Sequence, residues 1–322
     1  MTRRLTLILF AAVVSHATAA QDVTLATFNC EFLVRQKVHI KFGESFNLSG
    51  AAATTWNQPG FRDARFGEAA AAVADVLASL NTDVLLLTEV GNATDVEELH
   101  DSLAARGAPY PFRFVGRSRD SSTGQHVAVL SRLPLSGFHE EIRGREGYLP
   151  ELDDPETEDD TGLSKALRVT VDAHGRPLIV YLAHLIAERG GPEADAQRVA
   201  QASLLRRHML PALLADSLVI AAGDFNDRRG QPALLRLRGF DDLFPDLIQT
   251  GLSRYFSDDE VGERWTYTFD GVRGQIDHVL VSYGVKDACR SQRGIETRIV
   301  EHNNALASDH RPLVVTLHLQ SN

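Results

Sequence analysis

Seven short stretches of the chain are β-branched or almost wholly apolar: Val23–Phe28, Val84–Leu87, Val127–Leu130, Leu178–Leu182, Leu218–Ala221, Ile276–Val281 and Leu313–Leu319. Runs of this length, without the polar alternation of a half-exposed strand, predict core strands. Between them, Phe66, Ala70, Val73, Leu77 and Leu80 recur at helical spacing. Segments 95–105 and 193–214 also read as helices, the latter ending or kinking at Pro211. Strands alternating with one-faced helices predict layers of helix laid over sheet. There is neither an internal repeat nor a low-complexity linker, so residues 21–322 read as one domain.

The first twenty residues follow a different pattern. Basic Arg3 and Arg4, apolar Leu5 to Val14, and the small residues Ala17, Thr18, Ala19 and Ala20 match a secretory signal cleaved before Gln21. The mature protein is therefore expected to be exported, periplasmic or extracellular. No later apolar run approaches the roughly 18 residues that span a bilayer, so stable membrane insertion after cleavage is not expected. Export permits a disulfide, but Cys30 and Cys289 are the only thiols, and sequence leaves pairing and separate burial equally open.

Losing Arg3 and Arg4 with the signal moves the formal charge from −10 to −12. The location of the acids matters more than their total. Residues 140–160 hold ten acids (Glu140, Glu141, Glu146, Glu151, Asp153, Asp154, Glu156, Glu158, Asp159 and Asp160) against Arg143 and Arg145. With Pro150 and Pro155 and no apolar periodicity, the stretch reads as a solvated acidic loop. A Ca²⁺ site there is the sharper alternative, although the acids lack EF-hand spacing.

The core strands run apolar and then meet groups that ligate metals or move protons: Phe28-Asn29, Thr88-Glu89, Ala183-His184, Gly223-Asp224-Phe225-Asn226, Ile276-Asp277 and Ser308-Asp309-His310. A buried carboxylate costs several kcal/mol unless it is paired or bound to a cation, so six such junctions point to one convergent site.

These motifs, in this order, resemble the endonuclease/exonuclease/phosphatase superfamily: Asn29 in Thr-Phe-Asn, Glu89 in Leu-Leu-Thr-Glu-Val, His184 in Ala-His-Leu, Gly-Asp-Phe-Asn-Asp at 223–227, Gln-Ile-Asp-His at 275–278, and Ser-Asp-His at 308–310. The resemblance spans almost the whole mature chain. Any single motif occurs by chance in unrelated folds; six in order do not. It implies a four-layer α/β sandwich, two mixed β-sheets packed face to face with helices outside. It also implies metal-dependent hydrolysis of a phosphate ester.

Such hydrolysis needs an activated in-line water, neutralised phosphoryl charge and a stabilised leaving oxygen. Hard, oxygen-loving Mg²⁺ suits the second need, with Mn²⁺ as the alternative. Glu89 is the expected principal ligand; by family analogy Asp309 and the amide oxygen of Asn29 complete or orient the shell. Asp224 and Asn226 lie two apart, so an extended segment points both to one side. The resemblance makes Asp224 the group that activates water and Asn226 the amide that holds that water or a phosphate oxygen. It pairs Asp277 with His310, and assigns His310 and His184 to the phosphate. His278 should point away from the site, and Asp227 should cap the following segment. Lys165 is expected as a phosphate contact; Arg117, Arg119, Arg228, Arg229, Arg254 and Arg273 are further cations that sequence does not rank.

Nucleic acid, DNA ahead of RNA, is the first expected substrate, and Tyr267–Gly271 leading into Gln275–His278 looks like secreted bacterial nucleases of the superfamily. A phosphatase or sphingomyelin-type phosphodiesterase is the alternative, and a catalytically silent binding module the third reading. Trp56 and Phe61, in the loop-like stretch 41–63, are expected to cover core rather than dock on lipid. No protein partner is inferable.

Overall fold

The computed structural model describes residues 21–137, 139–149, 159–239, 248–249, 264–269, 271–289 and 294–320. Residues 1–20, where a signal is expected, the acids between 151 and 158, Arg254 and Asp270 lie outside them. All seven apolar runs form strands: Gln21–Leu33 (β1), Val84–Val90 (β2), His126–Ser131 (β4), Pro177–His184 (β9), Leu218–Asp224 (β10), Asp277–Val281 (β14) and Leu313–Leu319 (β16). They are joined by Phe112–Val115 (β3), Glu140–Glu141 (β5), Glu146–Tyr148 (β6), Asp159–Thr161 (β7), Ala166–Asp172 (β8), Ile248–Gln249 (β11), Tyr267–Phe269 (β12), Val272–Gly274 (β13) and Ile295–Ile299 (β15). The helices are Gly50–Trp56 (α1), Phe61–Leu80 (α2), Ala93–Ala105 (α3), Gly191–Leu214 (α4), Pro232–Arg238 (α5) and Tyr283–Ala288 (α6).

Two six-stranded mixed sheets form, in the orders β15-β16-β1-β2-β4-β3 and β11-β14-β10-β9-β8-β5. Strands with both faces apolar must be covered on both sides, and three separate cores do so. Val23, Leu25, Leu86 and Val129 of the first sheet meet Val169, Val180, Ile220 and Val279 of the second between the sheets. The opposite face of the first sheet, with Phe28, Leu85 and Leu87, packs under Phe66, Leu77, Leu99 and Leu103 of α2 and α3. The opposite face of the second, with Tyr181 and Ala221, packs under Leu205, Met209 and Leu237 of α4 and α5. Four layers result, as the motifs implied. Cys30 and Cys289 are free and buried in different cores.

Three local expectations change. The long helix α4 passes through Pro211 to Leu214, and Ala215 N donates to the Pro211 carbonyl at 3.2 Å, so the missing proline N–H costs one bond without ending the helix. The stretch 41–63 carries α1 and the start of α2; Trp56 is buried edge-on to Phe61 at 5.2 Å, covering core. The described part of the acidic stretch is laddered rather than free: β5 pairs with β8, and β6 pairs with β7. Arg143 lies 3.7 Å from Glu141, Arg145 pairs with Asp160, and Arg207 of α4 pairs with Glu146. These acids already have cationic partners, which leaves the Ca²⁺ alternative without support among the described residues.

Topology decides where the polar junctions land. β1 and β2 run parallel at the centre of one sheet, and β9 and β10 run parallel at the centre of the other. Their carboxyl ends deliver Asn29, Glu89, His184 and Asp224. Because β14 is antiparallel to β10, Asp277 opens its strand directly opposite Asp224. Because β16 is antiparallel to β1, residues 308–310 arrive at the same edge before their strand begins.

Gly223 sets the spacing just before Asp224. Its φ is 133°, and a Cβ there would sit 2.0 Å from the Ala183 carbonyl oxygen of β9, so only glycine lets the two parallel strands close at this point. Gly223→Ala should cost about 1–3 kcal/mol by overpacking. The expected readout is a lower urea midpoint at unchanged m value, with activity falling further than stability because Asp224 is displaced.

Candidate active site

The strand ends do not simply stop; they twist. Pairing slips between Asn29 and Leu33 on β1 and between Thr88 and Val90 on β2. Glu31, Phe32 and Glu89 adopt left-handed φ values of 43°, 49° and 55°. Bulges of this kind re-aim side chains, and such backbone costs about 1–3 kcal/mol per residue, so the surrounding bonds must hold it. The Phe32 amide donates to Glu89 Oε2 at 2.9 Å, and the Glu31 amide donates to Asn29 Oδ1 at 2.8 Å.

That second bond turns Asn29 around relative to expectation. Its amide oxygen serves its own backbone, and its nitrogen donates to Asp224 Oδ2 at 2.8 Å and to Glu89 Oε1 at 3.2 Å. Asn29 thus orients two carboxylates from different sheets instead of offering them a cation-ligating oxygen.

Asp224 and Asn226 also differ from the extended segment expected. Asn226 has a φ of 49°, and its backbone N–H donates to Asp224 Oδ1 at 2.9 Å. Its side-chain nitrogen donates to the Leu185 carbonyl at 2.9 Å, tying the exits of β9 and β10. The turn, rather than strand alternation, keeps the pair together. Asp227 points away and accepts from the Ala233 and Leu234 amides of α5, as a cap should. His278 bonds the Asp227 carbonyl at 2.9 Å and stacks on Phe225, outside the site.

His310 Nδ1 lies 2.7 Å from Asp277 Oδ2, and its Nε2 lies 4.0 Å from Asp224 Oδ2 and 3.9 Å from Asp309 Oδ1. Burial alone would lower the His310 pKa; the charge and hydrogen bond of Asp277, with Asp224 and Asp309 beyond, overcome this and raise it to about 10. Asp224, 2% exposed, is pushed up to about 7 by burial and by the Asp277 charge, against the pull of His310 and the Asn29 bond. His184 goes the other way. Burial, then the charges of Lys165 and His310, hold it neutral, with Nε2 3.7 Å from Glu89 Oε1 and 3.8 Å from Asp224 Oδ2.

Ligand atoms of Asp224, Asp277 and His310 lie within 4.8 Å of one another, close enough for a metal. A protonated His310 between two carboxylates makes that trio a proton-handling group instead. Burial raises the Glu31 carboxyl to about 7 against the opposing charge of Lys41, with the charges of Asp309 and Glu89 adding to the rise. Carboxylate oxygens of this kind suit a hard divalent ion, which Glu89 and Asp309 would hold. Asp309 is half-exposed, and Glu89 largely buried.

Lys165 stands beside His184, accepting its amide through the main-chain carbonyl. Its ammonium bonds Gln125 Oε1 at 3.0 Å and lies 3.5 Å from Asp120. Arg228 pairs with Glu188 at 3.8 Å. Sequence reasoning missed several neighbours. Tyr267 stacks on His310 with centroids 4.6 Å apart. Thr266 Oγ1 accepts both the Ile276 and Asp277 amides, fixing the approach to Asp277. The Trp265 ring contacts the guanidinium groups of Arg311, at 3.5 Å, and Arg273, at 5.1 Å. Only the Tyr267 segment had been singled out, and its contact with His310 is invisible to local pattern.

Four layers and a cluster of carboxylates, amide and imidazoles on one edge define a metal-dependent hydrolase of phosphate esters. A family model described as "Endonuclease/Exonuclease/phosphatase family" matches residues 26–310, and the chain belongs to that family. No curated protein matches it. Among solved structures it is similar to truncated TDP2 from Caenorhabditis elegans, at 15% identity and a TM-score of 0.56, covering 92% of this chain and 98% of that one. It is similar to sphingomyelinase C from Streptomyces griseocarneus, at 19% identity and a TM-score of 0.55, covering 92% and 99%. It is also similar to a Staphylococcus aureus beta toxin mutant with bound magnesium ions, at 14% identity and a TM-score of 0.54, covering 92% and 99%. At these identities the likeness is one of fold.

With Asp224 acting as base and His310 as proton donor, kcat/KM should rise with pH as Asp224 ionises near about 7 and fall as His310 deprotonates near about 10. Asp277→Asn removes the charge that raises His310, so the alkaline limb should move to lower pH. A profile of kcat/KM from pH 5 to 11 checks this, and an unmoved alkaline limb in Asp277→Asn would contradict the His310 assignment.

Proposed function

We propose that this chain is an exported, metal-dependent nuclease that cleaves phosphodiester bonds of nucleic acid, DNA ahead of RNA, by in-line attack of water. The observation that carries the substrate is the rim beside His310. Tyr267 presents a ring against the imidazole, and Trp265 is interleaved with Arg311 and Arg273. Exposed Arg228 lies against Gly274 of the same hairpin. Arginine alternating with aromatic faces suits a phosphate backbone bearing stackable bases. Export rests on the basic, apolar and small-residue order of residues 3–20.

The division of labour follows from the geometry. Asp224, once ionised, accepts the proton of the attacking water, held in place by the Asn29 amide and the Asn226 N–H. His310, charged through Asp277, directs Nε2–H between Asp224 and Asp309, where it can donate to a phosphoryl oxygen. Neutral His184 faces the same space from β9, and Lys165 supplies positive charge beside it. Mg²⁺, with Mn²⁺ the alternative, would be held by Glu89 and Asp309 and would neutralise phosphoryl charge.

The test is degradation of plasmid and of sphingomyelin vesicles, each with Mg²⁺ and with chelator. Mg²⁺-dependent plasmid cleavage is expected; intact plasmid beside cleaved lipid would replace this reading with the phosphodiesterase one, and turnover of neither would favour a silent module. Asp224→Ala, His184→Ala and His310→Ala should each lower plasmid cleavage by about 10²–10⁴-fold with the fold retained by circular dichroism.

A further inference from the structure

The strained Glu31–Phe32 turn is held from behind by a residue with no expected role. Lys41 leaves the 3₁₀ turn Val38–Phe42 and is enclosed completely, its side chain 0% exposed. Its Nζ donates to the carbonyls of Cys30 at 3.0 Å, Glu31 at 2.9 Å and Ala307 at 2.9 Å, and lies 3.5 Å from Glu31 Oε2. An ammonium has three donors and no acceptor, so the three carbonyls complete it. Burying it costs several kcal/mol, which packing alone would never require, since methionine fills similar space at no such cost.

What the ammonium gives is a tie between the β1 turn and Ala307, 266 residues beyond Lys41 itself. Cys30 and Glu31 flank the turn whose next amide, Phe32 N–H, holds Glu89 Oε2. Ala307 immediately precedes Ser308, Asp309 and His310. A second tie runs parallel: Ser308 Oγ donates to the Asn29 carbonyl at 2.7 Å. The two carboxylates assigned to the cation come from these two segments, Glu89 held by the first and Asp309 carried on the second.

We propose that Lys41 is a positioning residue for the metal centre, fixing the separation of Glu89 and Asp309 by fastening the β1 turn to the loop before β16, with Ser308 as the second fastener. The inference rests on placing the cation at Glu89 and Asp309.

The test measures Mn²⁺ binding to the full chain from the electron paramagnetic resonance of the free ion, beside the Mg²⁺ dependence of ester cleavage. Lys41→Met should raise the Mn²⁺ Kd by about ten- to a hundredfold, as losses of supporting contacts around metal ligands do, and shift the Mg²⁺ half-saturation in the same direction. Ser308→Ala should move both in the same direction by less. Leu99→Ala, a core truncation under α3, should lower thermal stability and leave both unchanged. A folded Lys41→Met chain with Kd within twofold of the parent, or tighter, overturns the proposal, as does an equal shift in Leu99→Ala. If Lys41→Met does not fold, Ser308→Ala decides: an unchanged Kd overturns the proposal and a weakened one supports it. A parent chain that binds Mn²⁺ but cleaves no ester would sink the nuclease reading alone, because the comparison of Kd values stands without turnover.

Discussion

Two buried carboxylates face each other across adjacent strands. Asp224 and Asp277 are register partners on β10 and β14, and both are buried. Like charges directly opposite destabilise a sheet, and buried ones do so more. His310 resolves the conflict by placing a protonated ring against both, and it comes from the other sheet, ahead of β16. Asn29 of β1 likewise reaches across to Asp224. The edge where two apolar sheets end is therefore sutured by polar groups, and the suture is also the chemistry.

The same burial gives the two histidines opposite states, because their partners differ. His310 has Asp277 at 2.7 Å and is held protonated, whereas His184 is neighboured by the positive charges of Lys165 and His310 and stays neutral. Beside them, burial and the charges of Asp309 and Glu89, against that of Lys41, raise the Glu31 carboxyl to about 7. Asn29 shares its nitrogen between Asp224 and Glu89, which holds the two carboxylates in fixed relation.

The seven central strands were legible because continuous apolar runs leave few other readings, and the polar groups at the ends of six of them because a carboxylate, amide or imidazole beside such a run demands a partner. β15 was not legible: Ile295–Ile299 alternates with Glu296 and Arg298 on an edge, and so resembles a loop. The acidic stretch misled for a similar reason, since its order comes from pairing with β8 and from Arg207 far along the chain. Asn29 was found but its orientation was not, because the amide at Glu31 that turns it depends on a left-handed bulge. Lys41 left no signal, since Val-His-Ile-Lys-Phe is unexceptional until Ala307 is brought beside it.

Structures sharing under one fifth of their residues with this chain keep the same fold. In the reading proposed for this chain, substrate selection falls to the connections around the edge that carries the site. Here the connection before β14 brings Trp265, Tyr267 and Arg273 to the rim, and Arg311 joins them from the loop before β16. The net acidity of the chain does not argue against an anionic substrate at that rim. Exposed charges separated by more than a Debye length, about 8 Å at physiological salt, are largely screened. Of the described acids in 140–160, Glu141, Asp160 and Glu146 are paired with Arg143, Arg145 and Arg207, so much of that stretch's charge is met locally.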